Sequence, residues 1–290
     1  MGPLDFIHLT EIMRLSEGNP SIKIGMIDGP VRRDHPMLSG DHIQDCTKAS
    51  ETGCSCTDSV ACEHGTFVAG ILGAKRDSVA PGICPKCSLL VCSIFPENIT
   101  GAAEGETTSG ASCEQLTEAI AYFIHSGVHL INLSLSLNRN GFKKEHDLKD
   151  IVDYAVAKGI IIVAAAGNEG ILSSSVLTGH PGVIPVVACD LNGRAVSESN
   201  LGISMAKTGL CAPGQKITGL RAGGGLKVFS GTSTAVPFVT GTMALLWSIF
   251  PDASGEALNF ALTQHAKNRR SLVPPVLNAA SAFEYLYRHS

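Results

Sequence analysis

Ser233, His64 and Asp28 are the residues of this 290-residue chain whose types could together activate an oxygen nucleophile. Ser233 follows Gly231-Thr232 and precedes apolar residues at helical spacing: Val236, Val239, Met243, Leu246 and Trp247, with Ala235, Gly241 and Ala244 between. That spacing predicts a buried helix with Ser233 in its first turn. Unpaired N–H groups and the positive end of the helix dipole favour an oxyanion there, and Pro237 is tolerated near such a start. Taken alone, the stretch reads better as a Ser/Thr cap on a packing helix.

A serine nucleophile needs a base and a group to orient that base. Ile22 to Asp28 reads as a buried strand ending in a carboxylate, and Glu63-His64-Gly65-Thr66 with the apolar run after it as a histidine opening a helix. Gly159 to Asn168 reads as a buried strand delivering an asparagine. His35, followed by Pro36 in a turn, is the rival base and is expected at the surface.

In the order Asp28, His64, Ser233, with Asn168 between the last two, these contexts resemble the subtilisin-like serine proteases, whose triad runs Asp, His, Ser. The resemblance runs from Ile22 to about Trp247. It implies a three-layer α/β fold, a mainly parallel twisted sheet with helices on both faces, and a serine endopeptidase that needs no cofactor. Asp28, His64 and Ser233 would be catalytic, and Asn168 would supply the oxyanion hole with Thr232 in support. Ser134, Leu135, Ser136, Ala165 and Gly167 would border the substrate, with the polar segment 96–110 as a second edge. Glu104 and Glu106 in that segment would either favour basic residues of the substrate or form a solvated surface. Two positions depart from the family pattern: Ser136 stands where glycine is common, and Val236 where threonine usually precedes the proline.

Asp28-Gly29-Pro30-Val31 with His35-Pro36 is similar, more narrowly, to the proteases that mature cyanobactin-type ribosomal peptides. That resemblance implies a precursor-peptide substrate, removal of its leader, and a cytoplasmic enzyme without signal peptide or pro-domain. Some relatives pass the acyl group to the substrate's own amine and close a macrocycle. Hydrolysis is the expectation here, because residues 28–64 show no helical periodicity that would build a lid.

The elements that must hold these residues alternate along the chain. Strands are expected at 22–28, at the end of 79–95, and at 128–136, 160–166 and 182–188, with helices at 64–73, 113–126 and 146–158. This is the pattern of a parallel sheet covered on both faces. Gly209 to Gly214 reads as a loop, Gly223-Gly224-Gly225 as a close backbone approach before Ser233, and 254–264 and 278–287 as packing helices. Phe6, Leu9, Ile12 and Met13 suggest one short amphipathic helix.

No linker interrupts the sequence, and 44% hydrophobic content supports one large core, so residues 1–290 are expected to form one domain. A net charge of −4 carries no footprint for nucleic acid. Apolar runs such as Ile160 to Ala166 are too short to span a membrane. The first residues lack the basic, apolar and cleavage regions of a secretory signal. Oligomeric state and calcium binding leave no signal.

Cys46, Cys54, Cys56 and Cys62 crowd the segment before His64, and Cys84-Pro85-Lys86-Cys87 follows it. Loop disulfides, free thiols and a zinc site are all open readings, with at least one disulfide expected within 46–62. Cys189 and Cys211, in apolar contexts, are expected as buried thiols. The competing classes are a non-catalytic peptide-binding module and a metal-stabilised structural protein.

Overall fold

The apolar runs become strands of a seven-stranded parallel sheet in a computed structural model of the chain, which describes residues 1–38, 40–46, 53–95, 97, 111–135, 145–264 and 271–289. The first half holds α1 (Pro3–Phe6), α2 (Thr10–Leu15), β1 (Lys23–Asp28), β2 (Ile43–Asp45), α3 (Val60–Gly73), β3 (Ser88–Ser93), α4 (Cys113–Ser126) and β4 (Leu130–Leu133). Then come α5 (Glu145–Ala157), β5 (Ile161–Ala165), β6 (Val183–Cys189), α6 (Ile203–Thr208), β7 (Leu210–Pro213), β8 (Ile217–Leu220) and β9 (Leu226–Phe229). The chain closes with α7 (Thr232–Ile249), α8 (Gly255–Thr263) and α9 (Ala279–His289). Strand order is β2-β3-β1-β4-β5-β6-β7, and β8 and β9 form a separate antiparallel hairpin.

Burial on both faces explains the unbroken apolar runs. Ile24, Met26, Val163 and Ala165 point into one core with residues of α3 and α7, whereas Ile27, Ile131, Ile162 and Ala164 point into another with α4 and α5. Gly25 leaves room for α4: a Cβ there would meet the Phe123 ring at 2.6 Å. That helix is fixed at both ends, by a capping box between Ser112 and Gln115 and by Gly127 in the left-handed region at φ 63°.

The topology also places the site. β1 lies between β3 and β4, so the chain leaves it in opposite directions, and the carboxyl ends of such strands flank a crevice where functional groups collect. Asp28 ends β1, and Asn168 follows β5.

Several local expectations give way to the structure. Residues 210–213 are a strand and not a loop, pairing with β6 and, through Cys211, with Pro275 and Leu277. The glycines at 223–225 turn the hairpin: Gly224 (φ 101°) and Gly225 (φ 76°) have open space around them, so backbone freedom and not close approach is what glycine supplies. The N-terminal helix is two pieces, broken at His8, whose φ is 56°. His35 is buried, 3% exposed, not on the surface; its Nδ1 accepts the Met37 N–H at 3.1 Å, and burial pulls its pKa down. α3 starts one turn earlier than expected because the Ser59 hydroxyl caps it by accepting the Cys62 N–H, so His64 lies inside the helix.

The cysteines sort by register. Asp45 of β2 is opposite Val91 of β3, which puts Cys46 beside Cys92, and these two form a disulfide with Cα atoms 5.1 Å apart. Cys54 and Cys62 form the second disulfide, at 5.5 Å. Cys56, Cys84 and Cys87, counted among the bridging candidates, are in neither. Cys84 and Cys87 are buried and share a thiol hydrogen bond, and Cys189 and Cys211 are fully buried.

Candidate active site

Asp28 is fully buried, and its Oδ1 accepts from the Gly29 N–H and from His64 Nδ1, both at 2.7 Å. Two glycines allow the contact. A Cβ on Gly29 would run into the Ala61 carbonyl, and one on Gly65 into the carbonyls of Gly29 and Pro30, so α3 can lie against the end of β1 only where side chains are missing. With Nδ1–H donating to Asp28, Nε2 is the ring nitrogen left to accept a proton. Burial works against the charged ring, but the charge of Asp28 and its hydrogen bond outweigh it, and the His64 pKa is raised above the usual 6.5.

Side chains from the hairpin brace the imidazole. Phe229 packs edge-on against His64, centroids 6.1 Å apart, and against Phe67 at 4.9 Å. Glu63, buried next to His64, pairs with Arg221 at 3.2 Å and with Lys227, whose ammonium lies over the Phe229 ring at 5.1 Å. The hairpin is thereby tied to α3.

Ser233 is the second residue of α7 and half-buried, so its N–H has no partner within the helix by position. Pro237, four residues on, lacks the N–H that the Ser233 carbonyl would otherwise receive. The Ser233 hydroxyl makes no hydrogen bond to a described residue, so the nucleophile–base contact is not closed in this state. Such contacts commonly tighten only when substrate binds.

Asn168 is oriented without ambiguity. The Thr232 N–H (2.8 Å) and hydroxyl (3.1 Å) both donate to one Asn168 side-chain atom, which must therefore be its oxygen, and the amide NH₂ faces away with its donors available. The Thr232 hydroxyl in turn accepts the Gly167 N–H at 3.2 Å. Thr232 thus positions Asn168 and the end of the β5 segment together.

The expected substrate border is only partly described. Ala165 and Gly167 lead directly to Asn168, and Ser134 and Leu135 are buried just beyond β4. The Ser134 hydroxyl points inward, accepting from Asn132 Nδ2 at 2.8 Å, while Asn132 Oδ1 accepts from Thr240 of α7 at 2.9 Å. Ser134 therefore offers its backbone, and not its hydroxyl, to a ligand. Ser136, Glu104 and Glu106 lie outside the described residues. Sequence reasoning misses Asn132, Gly65, Glu63 and Phe229 as site residues; an amide inside the apolar run 128–136 is the one legible signal among them. A cavity of about 340 Å³ lined by Pro3, Ile71, Ile217 and Phe238 includes none of the residues that bear chemistry. As arranged, the site can carry out acyl transfer: a serine, a base with an oriented tautomer, and fixed donors for an oxyanion.

Known proteins with similar sequence and structure agree among themselves. A profile of the Subtilase family matches residues 19–281. Subtilisin E from Bacillus subtilis is 30% identical over 240 residues, covering 80% of this chain and 56% of that protein. A thermophilic serine proteinase from a Bacillus species is 32% identical over 237 residues, 81% of this chain and 54% of that one. The chain thus spans about half the length of these curated relatives. Among solved structures, the prenylagaramide maturation protease PagA aligns with a TM-score of 0.80 at 27% identity, over 96% of this chain and 98% of its own. The patellamide maturation protease PatA gives 0.76 at 28%, over 93% and 98%. The PatG macrocyclase domain, at 20% identity, shares the fold with a TM-score of 0.84 over 99% and 98%.

Proposed function

The chain belongs to the subtilase family, and on that premise we propose that it is a serine endopeptidase that removes a leader from a ribosomal precursor peptide. The observation that carries the peptidase reading is the 2.7 Å Asp28–His64 pair, combined with an Asn168 amide whose NH₂ is held outward beside the start of α7. His64 Nε2 takes the Ser233 proton as the hydroxyl oxygen attacks a peptide carbonyl. Asp28 keeps the proton on Nδ1 and stabilises the imidazolium without becoming protonated itself. The Ser233 N–H and the Asn168 NH₂ receive the oxyanion. His64 then protonates the leaving amine, and water attacks the acyl-serine by the same route in reverse.

Leader removal is supported by Asp28-Gly29-Pro30-Val31 with His35-Pro36 and by the likeness to PagA and PatA, both of which are maturation proteases. Hydrolysis is favoured over ring closure because the described residues between Asp28 and α3 hold β2 and one turn of 3₁₀ helix, and no helical lid.

Intact mass after treatment with a fluorophosphonate tests the nucleophile. One adduct is expected on the wild type, none on Ser233→Ala, and a strongly slowed one on His64→Ala. No adduct on the folded wild type would sink the peptidase reading in favour of a peptide-binding module. Incubation with precursor peptides then separates a linear product, as proposed, from a cyclic one.

A further inference from the structure

Cys62 lies in the first turn of α3, two residues before His64, and its disulfide partner Cys54 sits in the stretch that feeds that helix. Glu97 reaches the same place from beyond β3. Its carboxylate accepts the Ser55 N–H at 2.9 Å, the Cys56 N–H at 3.3 Å and the Ser55 hydroxyl, so it is held against the loop that carries Cys54. One ligand atom from each of Cys54, Cys62 and Glu97 lies within 4.8 Å of the other two. Cys62 is buried and the other two are half-buried. Among the described residues no other group of three such ligands occurs. The Cys46–Cys92 disulfide and the Cys84–Cys87 thiol pair have no third such ligand among the described residues.

We propose that Cys54, Cys62 and Glu97 form a binding site for a thiophilic divalent cation, zinc by its chemistry, once the Cys54–Cys62 disulfide is reduced. A dithiol or phosphine reductant supplies two electrons, and the sulfurs take up two protons to become thiols while the reductant is oxidised. Binding the cation releases those two protons to solvent. The two thiolates then neutralise the metal charge, and the carboxylate adds a harder third ligand. Zinc–sulfur bonds of about 2.3 Å and zinc–oxygen bonds of about 2.0–2.2 Å put neighbouring ligand atoms roughly 3.5–3.8 Å apart in a tetrahedron, so the two sulfurs must move apart once their bond is broken, while a Glu97 oxygen already lies within 4.8 Å of both. Three protein ligands leave the fourth position to water.

The consequence concerns the brace on α3. In an oxidising compartment the disulfide ties residue 54 to the first turn of the helix that carries His64. In a reducing one the metal makes the same tie. The two states exclude each other, because a sulfur committed to a disulfide cannot serve as a thiolate ligand.

The test uses the whole chain, reduced anaerobically with a phosphine and titrated with Co²⁺. One Co²⁺ per chain is expected, with thiolate-to-cobalt charge-transfer absorption and the visible bands of a tetrahedral ion, both abolished by Zn²⁺. The oxidised chain should show neither. Cys54→Ser should lose the charge-transfer band, Glu97→Gln should weaken binding at least tenfold while keeping the band, and Cys46→Ala with Cys92→Ala should bind normally. A reduced wild type without stoichiometric thiolate bands overturns the proposal. Bands that survive Cys54→Ser overturn it too, because the metal then sits on other thiols. So does loss of helical circular dichroism on reduction with zinc present, which would show that the metal cannot replace the disulfide as a brace.

Discussion

Thr232 and Asn168 should behave as one device, and a double-mutant cycle can show whether they do. Asn168→Ala removes the outward NH₂ and should lower kcat by ~10²–10³, or ~2.7–4 kcal/mol, the scale known for removal of a single oxyanion donor from a subtilisin. Thr232→Val keeps the shape and the backbone N–H but deletes the 3.1 Å bond to Asn168 Oδ1 and the acceptor for the Gly167 N–H. The bond to Asn168, as one neutral hydrogen bond, is worth ~0.5–1.5 kcal/mol, and the Gly167 bond bears on kcat only through where it holds Asn168, so kcat should fall roughly 2- to 12-fold. In the Asn168→Ala background, however, Thr232 has no amide left to orient, and the same substitution should change kcat by less than about twofold. Turnover of a fluorogenic peptide, normalised to active sites counted with a fluorophosphonate, measures all four corners. A loss below about threefold in Asn168→Ala would refute the oxyanion assignment. An equal effect of Thr232→Val in both backgrounds would show that Thr232 does not act through Asn168.

The raised His64 pKa predicts that kcat/KM climbs with pH through an apparent value above 6.5, and that Asp28→Asn moves this limb down, as a pH–rate profile would record. Stability runs the other way: the charged His64–Asp28 pair contributes fully below pH 6.5 and is lost as pH rises through the raised folded-state value, which urea titrations at several pH values can follow. Gly65→Ala drives a methyl into the carbonyls of Gly29 and Pro30; Tm should drop by roughly 2–10 °C and kcat/KM by ~10²-fold, and unchanged kinetics would mean that β1 and α3 tolerate separation. Asn132→Ala cuts the link from Thr240 to Ser134, so KM should rise more than kcat falls, while fluorophosphonate labelling, which needs no extended substrate edge, stays within about threefold of wild type.

The order and contexts of Asp28, His64, Asn168 and Ser233 were legible because each adjoins a strongly patterned run: Asp28 ends one, Asn168 closely follows another, and His64 and Ser233 each precede the apolar part of a helix. Ile22–Ile27 and Ile160–Ala166 are apolar on both faces, and the run after Ser233 keeps helical spacing for several turns. Shorter elements carried too little pattern. Leu210–Pro213 spans only four residues between glycines, and β8 and β9 are four-residue strands with exposed positions, so the three glycines between them are the stronger local signal. The start of α3 was hidden because its cap, Ser59, stands in a loop full of Ser, Thr, Asp and Cys. His35 looked like a turn residue, and nothing local signals the fold above it. The Cys46–Cys92 pairing depends on which strand lies beside β2, a fact of topology that spacing along the chain does not encode. The same holds for Gly65 and Asn132, whose neighbours arrive from segments far away in sequence.

The position of β1 has a further consequence, for the timing of activity. Both of its neighbours, β3 and β4, are made after it, and the serine of α7 is made later still. Ribosomal synthesis at about 5–20 residues per second puts on the order of 10–40 s between the aspartate and the serine. Parallel pairing over such separations is also slow to form. A nascent or half-folded chain therefore holds Asp28 and His64 without Ser233 beside them, and in refolding the fluorophosphonate-reactive fraction should lag behind the recovery of secondary structure. The sheet thereby orders events in time: Ser233 can meet the Asp28–His64 pair only after α7 has been made and packed, so any acyl transfer by these residues waits on a late-made helix.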